Sequence, residues 1–212
     1  YSDDNFYEPS SIAADANGNF YLVSSRFPNG MIRVMDRDGW YFFSMAPQEA
    51  TEYDRIRDPN KVCVSPDGSK IFLLDNYKRV LEFKRDGKYT ATYEFEDAVT
   101  DISVDGNGNL FALIGKRGDV YSCSGGNRKH FCAVQDKSAS RCVLLTPSYD
   151  GKGVFIANTK DDKVFHFADG GFKEPFPSGR SNFRSFTTII SNPIGVIFIL
   201  DDNRDIISPL FS

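Results

Sequence analysis

Five times along the chain, a short apolar run leads into a polar turn with a glycine, and a second, more apolar run returns from it. The units span residues 9–23, 59–74, 99–113, 142–157 and 187–200. Their turn glycines are Gly18, Gly68, Gly108, Gly151 and Gly195, at successive spacings of 50, 40, 43 and 44 residues. Asp/Asn-Gly pairs supply the positive-φ positions of tight hairpin turns, so each unit reads as two antiparallel strands. A period of 40–50 residues built from strand units is the signature of propeller blades.

The rest of each period repeats as well. Third strands are expected at 31–35, 80–83, 120–123 and 164–167, with Arg33, Glu82, Ser122 and His166 between apolar neighbours. That alternation marks strands buried on one face. A second turn follows (Asp38-Gly39, Asp86-Gly87, Gly125-Gly126, Asp169-Gly170), then a fourth strand at 40–45, 88–95, 130–134 and 172–176. Only 47–57 suggests a helical turn. The short links between strands leave no room for the helical crossovers of a parallel sheet. The expected architecture is therefore all-β: one small β-propeller over 1–212, of about five four-stranded blades. The blade units fall at 9–45, 59–95, 99–134, 140–176 and 186–212, with 4–7 closing the last. Six blades would require sequence outside this chain.

The chain is long enough to bury a sizeable core as a single domain. Its 19 Phe and 10 Tyr among 212 residues suit pleated, half-buried surfaces. No apolar run approaches the length of a membrane-spanning helix. The first residue is Tyr1, not Met, which points to a processed chain or a part of a longer one. A soluble chain is expected; the compartment is open, an extracellular one included.

The motif Pro9-x-x-Ile12-Ala13-x-Asp15-x-x-Gly18-Asn19-x-Tyr21-x-Val23 resembles the NHL repeat, and Ile102-x-Val104-Asp105-x-x-Gly108-Asn109-Leu110-Phe111 is similar to it. Ser65-Pro66-Asp67-Gly68 resembles the YVTN and TolB-type repeats. The resemblance implies a propeller whose relatives include protein-binding, RNA-binding and lactonase-like or lyase members. Function must then be argued from sites.

In a propeller, the loops from second to third strands and the links between blades share one face. Here these are 25–30, 75–79, 115–119, 158–163 and 201–205, with 46–58, 96–99, 135–141 and 177–185. They carry Arg26, Phe27, Tyr53, Arg57, Tyr77, Lys116, Arg141, Phe183, Arg184 and Arg204. Arg and Tyr are enriched at interface hot spots, which makes this face the candidate binding surface for a protein partner. The bland alternative is a solvated surface of mixed charge, because Glu49, Glu52, Asp54, Asp161, Asp162, Asp201 and Asp202 share it.

No catalytic constellation stands out. Of the two histidines, His166 sits mid-strand and His130 beside a hairpin turn, and neither is placed for a nucleophile set. No metal site and no cofactor is expected. Lactonase-like propellers hold a channel ion, but the equivalent positions Ser11, Lys61 and Asp101 offer one carboxylate. The net charge of -4 disfavours nucleic acid. The four cysteines form no CxxC pair; Cys123 and Cys132 flank a turn and are candidates for a disulfide. The leading expectation is a non-catalytic binding or structural module. A metal-dependent hydrolase or lyase and a carbohydrate-binding lectin are the alternatives, with a small molecule or glycan as ligand.

Overall fold

The computed structural model describes residues 9–24, 32–45, 56–135, 139–161, 163–173, 186–201 and 206–211. Strands follow chain order in every sheet, each antiparallel to the next. The first sheet is β1 (Ser11–Ala14), β2 (Phe20–Val23), β3 (Ile32–Met35) and β4 (Tyr41–Met45). The second is β5 (Pro59–Val64), β6 (Lys70–Asp75), β7 (Arg79–Lys84) and β8 (Tyr89–Glu94). The third is β9 (Val99–Val104), β10 (Leu110–Ile114), β11 (Asp119–Ser124) and β12 (Asn127–Ala133). The fourth is β13 (Cys142–Pro147), β14 (Val154–Asn158), β15 (Lys163–Ala168) and the two-residue β16 (Gly171–Phe172). The last sheet has three strands, β17 (Phe186–Ser191), β18 (Val196–Asp201) and β19 (Ile206–Phe211).

Four sheets are thus complete four-stranded meanders. The segment expected to add a fourth strand to the last, 4–7, lies outside the described residues, as does most of the helical-turn candidate 47–57. A short 3-10 turn at Ala139–Arg141 had no sequence signal.

The chain divides into two compact units, 1–96 and 97–212. Within each, apolar residues of neighbouring sheets interlock. In the first, Tyr21, Val23, Ile32 and Val34 pack with Val62, Ile71, Leu73, Leu81 and Phe83. In the second, Phe111, Leu113 and Val120 pack with Leu145, Val154, Ile156 and Phe165. Every residue of β10 and β14 is buried, which is why these second strands read as unbroken apolar runs rather than alternating ones. Side chains also tie first strands to one another. Val62 N–H donates to Ser11 Oγ (3.2 Å), Leu145 N–H to Asp101 Oδ2 (2.7 Å), and Ser191 N–H to Thr146 Oγ1 (3.1 Å).

The turns between first and second strands come in two chemistries that alternate along the first four sheets. In the first kind an aspartate opens the turn. Asp15 Oδ1 accepts the N–H groups of Asn17 and Asn19 (both 2.9 Å), and its Oδ2 accepts the Asn19 amide (2.8 Å). Asp105 does the same with Asn107 (2.9 Å) and Asn109 (2.8 and 2.9 Å). In the second kind a serine opens it. Ser65 and Ser148 donate to Asp67 and Asp150 (both 2.6 Å) and accept the N–H of Lys70 and Gly153 (both 2.9 Å). The two kinds dock in pairs: Ala16 N–H donates to Pro66 C=O, and Gly106 N–H to Tyr149 C=O (both 2.8 Å). A Cβ on Gly68 would stand 2.5 Å from Asp15 Oδ2, and a Cβ on Gly151 would run into Asp105 Oδ2. Both glycines also hold positive φ, +70° and +72°. Glycine is required there twice over, by backbone conformation and by the carboxylate of the preceding sheet.

The candidate disulfide does not form: Cys123 and Cys132 are free, buried thiols. The physical reason is the turn. The strands meet at a two-residue Gly125-Gly126 turn with φ of +57° and +80°, closing a Ser124–Asn127 pair. That register sets Cys123 opposite Arg128 and Cys132 opposite Val120. Burial pushes both thiols up to about 12, so they stay protonated and unreactive.

Candidate functional site

Where β6 hands over to β7, the link from the preceding sheet arrives too. In the first unit this junction is built on Asp75, which is fully buried at the end of β6. Its Oδ1 accepts the N–H of Arg57 (2.9 Å) and of Asp58 (2.6 Å); its Oδ2 accepts Arg79 Nε (2.8 Å) and Nη2 (2.5 Å). The carboxylate therefore clamps the incoming link to the β6–β7 turn, with its charge met by the guanidinium. Removing Arg79 would leave that buried charge without a counter-charge, a loss of about 3–5 kcal/mol, so the pair serves the fold. Asn158 is the counterpart at the end of β14 and is equally buried. Its Oδ1 accepts Lys160 and Asp161 N–H (3.0 and 3.1 Å).

The clamp holds an exposed aromatic in a fixed place. Asn76 and Tyr77 both sit in the left-handed region, with φ of 53° and 52°. Asn76 N–H donates to Asp58 C=O (2.8 Å) and Tyr77 N–H to Asn60 Oδ1 (3.1 Å). The Tyr77 side chain remains 52% exposed. Bulky residues avoid this conformation, and where one is held there the surroundings must over-determine it.

In the second unit the corresponding turn, 115–118, is charged. Arg117 pairs with Asp97, and Lys116 Nζ lies 3.8 Å from the same carboxylate. Val134 N–H donates to Gly118 C=O (3.1 Å), and Gly118 packs against Ala139 of the 3-10 turn.

Of the residues expected on this surface, Arg57, Tyr77 and Lys116 are exposed at these junctions, and Arg141 ends the 3-10 turn. Arg26, Phe27, Tyr53, Phe183, Arg184 and Arg204 lie outside the described residues. Arg57 and Tyr77 come together through the Asp75 clamp in the first unit; Lys116 belongs to the second.

The remaining candidates have ordinary roles. His166 stacks on Phe155 (4.1 Å between rings), and burial, then nearby Lys173, lowers its pKa, so it is neutral at neutral pH. His130 Nε2 lies 3.2 Å from Asp119. Asp101, the one carboxylate of the channel positions, accepts backbone N–H groups of Ile102 (3.0 Å) and Leu145 (2.7 Å). No cluster of three potential metal ligands occurs among the described residues. No described helix is long and apolar enough to cross a membrane.

What sequence reasoning missed is at the other end of the sheets. In the second unit a cavity of about 430 Å³ opens beside the Asp105 turn, lined among others by Asn109, Phe111, Asn127, Arg128 and Phe131. Its signal was present in Asp105-Gly106-Asn107-Gly108-Asn109, but a turn motif alone does not say whether space lies beside it.

No protein-family model matches the sequence, and none of the curated protein sequences does. Solved structures do. Virginiamycin B lyase from Staphylococcus aureus superposes with a TM-score of 0.68 at 13% identity, over 96% of this chain and 67% of the lyase chain. A chain of the nidogen/laminin complex gives 0.67 at 14% identity, over 96% and 75%. Hydrazine synthase of Kuenenia stuttgartiensis gives 0.66 at 12% identity, over 94% and 59%. The fold is a β-propeller. At such identities the likeness speaks for the propeller fold alone, since these neighbours include a lyase and a member of a protein complex.

Proposed function

We propose that this chain is a single propeller domain of NHL- or YVTN-like repeats, with the three-stranded sheet as a fifth blade, and that it acts as a non-catalytic module holding a protein partner. The partner would dock on the surface of second-to-third strand turns and inter-sheet links. The observation that carries this reading is Tyr77, an exposed aromatic held in a costly backbone conformation by the Asp75 clamp. An aromatic fixed in place before binding loses little freedom on binding, which is what anchors of interfaces require. Arg57 beside it adds a planar cation suited to carboxylates and ring faces. That one propeller neighbour was solved in a complex of nidogen with laminin agrees with this use of the fold.

The test is capture of a partner from native extract by the parent chain, compared with a variant carrying Tyr53, Arg57, Tyr77 and Arg184 all as Ala. A partner bound by the parent and lost by the variant, with the melting temperature kept, is the expected result. A Tyr77→Gly chain sharpens it: relief of the left-handed strain should hold or raise stability by about 1 kcal/mol while binding falls. A partner that binds the quadruple variant as well as the parent would remove the proposal.

A further inference from the structure

Three Asn-Gly pairs occur in the sequence: Asn17-Gly18, Asn29-Gly30 and Asn107-Gly108. The second lies outside the described residues. The other two occupy the same place in the two aspartate-opened turns, one in each unit. An asparagine before glycine holds an electrophile and a nucleophile side by side. The glycine nitrogen can attack the side-chain carboxamide carbon, because no Cβ on the glycine hinders the approach. This is one reason asparagine counts among the thermolabile residues.

Two conditions limit the attack in a folded chain. The glycine nitrogen must give up its hydrogen bond, and the carboxamide must be free to swing towards it. The first condition is common to both turns, where Gly18 and Gly108 N–H donate to Asp15 and Asp105 C=O (both 3.1 Å). The second separates them. Asn107 is braced from the next sheet: its Nδ2 donates to Asp150 C=O (3.4 Å). A Cβ on the adjoining Gly106 would stand 2.6 Å from the Tyr149 ring, so that ring lies on the turn. Gly108 is buried as well. Asn17 is exposed, and its carboxamide makes no hydrogen bond among the described residues. Ala16 N–H docks on Pro66 C=O, but a proline stands where the second turn meets Tyr149, and Gly18 is only half-buried. The Tyr21 hydroxyl adds a bond to Asp15 Oδ2 that Asp105 lacks; it holds the aspartate and leaves the Asn17 carboxamide free.

We propose that Asn17 is a self-modifying site, converting to aspartate and isoaspartate, while Asn107 persists because the next sheet braces it. The Gly18 nitrogen bonds to Asn17 Cγ, and Nδ2 leaves as ammonia with the proton of that nitrogen. Water then opens the five-membered succinimide, and no other reactant enters. Opening at the side-chain carbonyl gives aspartate. Opening at the main-chain carbonyl gives isoaspartate, whose extra methylene lengthens the backbone between residues 17 and 18. A lengthened turn cannot keep the N–H groups of Asn17 and Asn19 both on Asp15 Oδ1 (both 2.9 Å), so the isoaspartate form has a weakened first hairpin.

The experiment ages the full chain in mildly alkaline buffer and reads each Asn-Gly pair over time by peptide mass spectrometry. Isoaspartate is scored by isoaspartate-specific methyl transfer. Asn29 falls in a different tryptic peptide from either site, so it does not confuse the reading. In the folded chain Asn17 should convert at least about five-fold faster than Asn107, the weight of one hydrogen bond. In urea the two rates should meet, because the braces are gone. Tyr149→Ala, in a chain that still melts cooperatively, should bring the Asn107 rate up towards that of Asn17. The isoaspartate form, separated by ion exchange, should melt below the intact chain. The proposal is overturned if Asn17 stays intact in the folded chain while the urea-unfolded chain converts, or if the two sites convert at equal rates in the folded chain. An Asn107 rate untouched by Tyr149→Ala would overturn the brace, and equal melting of the separated forms would overturn the weakened hairpin. None of these readouts involves the protein-binding surface, so the two proposals fail separately.

Discussion

Asp15 and Asp105 open the same kind of hairpin, accept the same two backbone amides and the same asparagine side chain, and each press against a glycine of the next sheet. They part six residues on, at Tyr21 against Phe111. Tyr21 closes the first site with a hydroxyl, and Phe111 leaves the second without one beside a 430 Å³ cavity. The lesson is that a repeat can keep its turn chemistry intact while a single side chain changes how the shared carboxylate is hydrogen-bonded.

The largest effect expected from probing this pair is at the glycines. Ala at Gly151 would adopt a left-handed backbone at about 1–2 kcal/mol and also force its methyl into the Asp105 carboxylate, at about 1–3 kcal/mol more. Gly68→Ala meets Asp15 in the same way. Denaturant titration should therefore show losses of about 2–5 kcal/mol for either. A loss at one glycine and none at the other would break the equivalence of the two sites.

Next comes the hydroxyl itself. Tyr21→Phe removes one buried hydrogen bond and should cost about 1 kcal/mol. Asp15→Ala should cost about 1 kcal/mol more than Asp105→Ala, because it alone orphans a buried phenol. In the double variant with Tyr21→Phe, the extra cost of Asp15→Ala over Asp105→Ala should vanish, which a double-mutant cycle by thermal melts would read directly.

Much of this architecture was legible in the residues. The Asp/Asn-Gly turns located the hairpins, and the alternation around Arg33 and Glu82 located half-buried third strands. That signal is local: turn chemistry and side-chain period act within a few residues. The β11–β12 hairpin was misjudged because Gly125-Gly126 is enough for a two-residue turn, so strand β12 begins at Asn127 and not at His130. The candidate disulfide fell with it. Of the candidate surface, Tyr77 was legible as an exposed loop aromatic, but its clamp was not. Asp75 reads as the polar end of an apolar strand, and only the fold brings Arg57, Asp58 and Arg79 to it. The Asp105 cleft was unreadable for the same reason. Asp150 and Gly151 line it from the next repeat, and the period that relates the two turns does not say that they dock side by side.

The smallest effect separates the two kinds of turn by pH. Asp67, in a serine-opened turn, is exposed and is held down at about 2 by hydrogen bonds from the Ser65 hydroxyl and from Ser69. Burial would raise Asp15, but the hydrogen bonds from Asn19, Tyr21 and Asn17 outweigh it, and its pKa is lowered too. A carboxylate with a depressed folded pKa stabilises the fold fully above its unfolded value of about 4 and loses that contribution as pH falls through the folded value. Both turns should therefore weaken on acidification between about pH 4 and pH 2, not on the alkaline side. Tyr21→Phe removes one of the bonds that depress Asp15, so its carboxyl should titrate at higher pH in that variant, while Asp67 should stay where it is. Carboxyl carbon shifts followed by NMR from pH 5 down to pH 2 would measure both groups in one experiment. If Tyr21→Phe leaves the Asp15 titration unchanged, the hydroxyl is not what distinguishes the closed site from the open one.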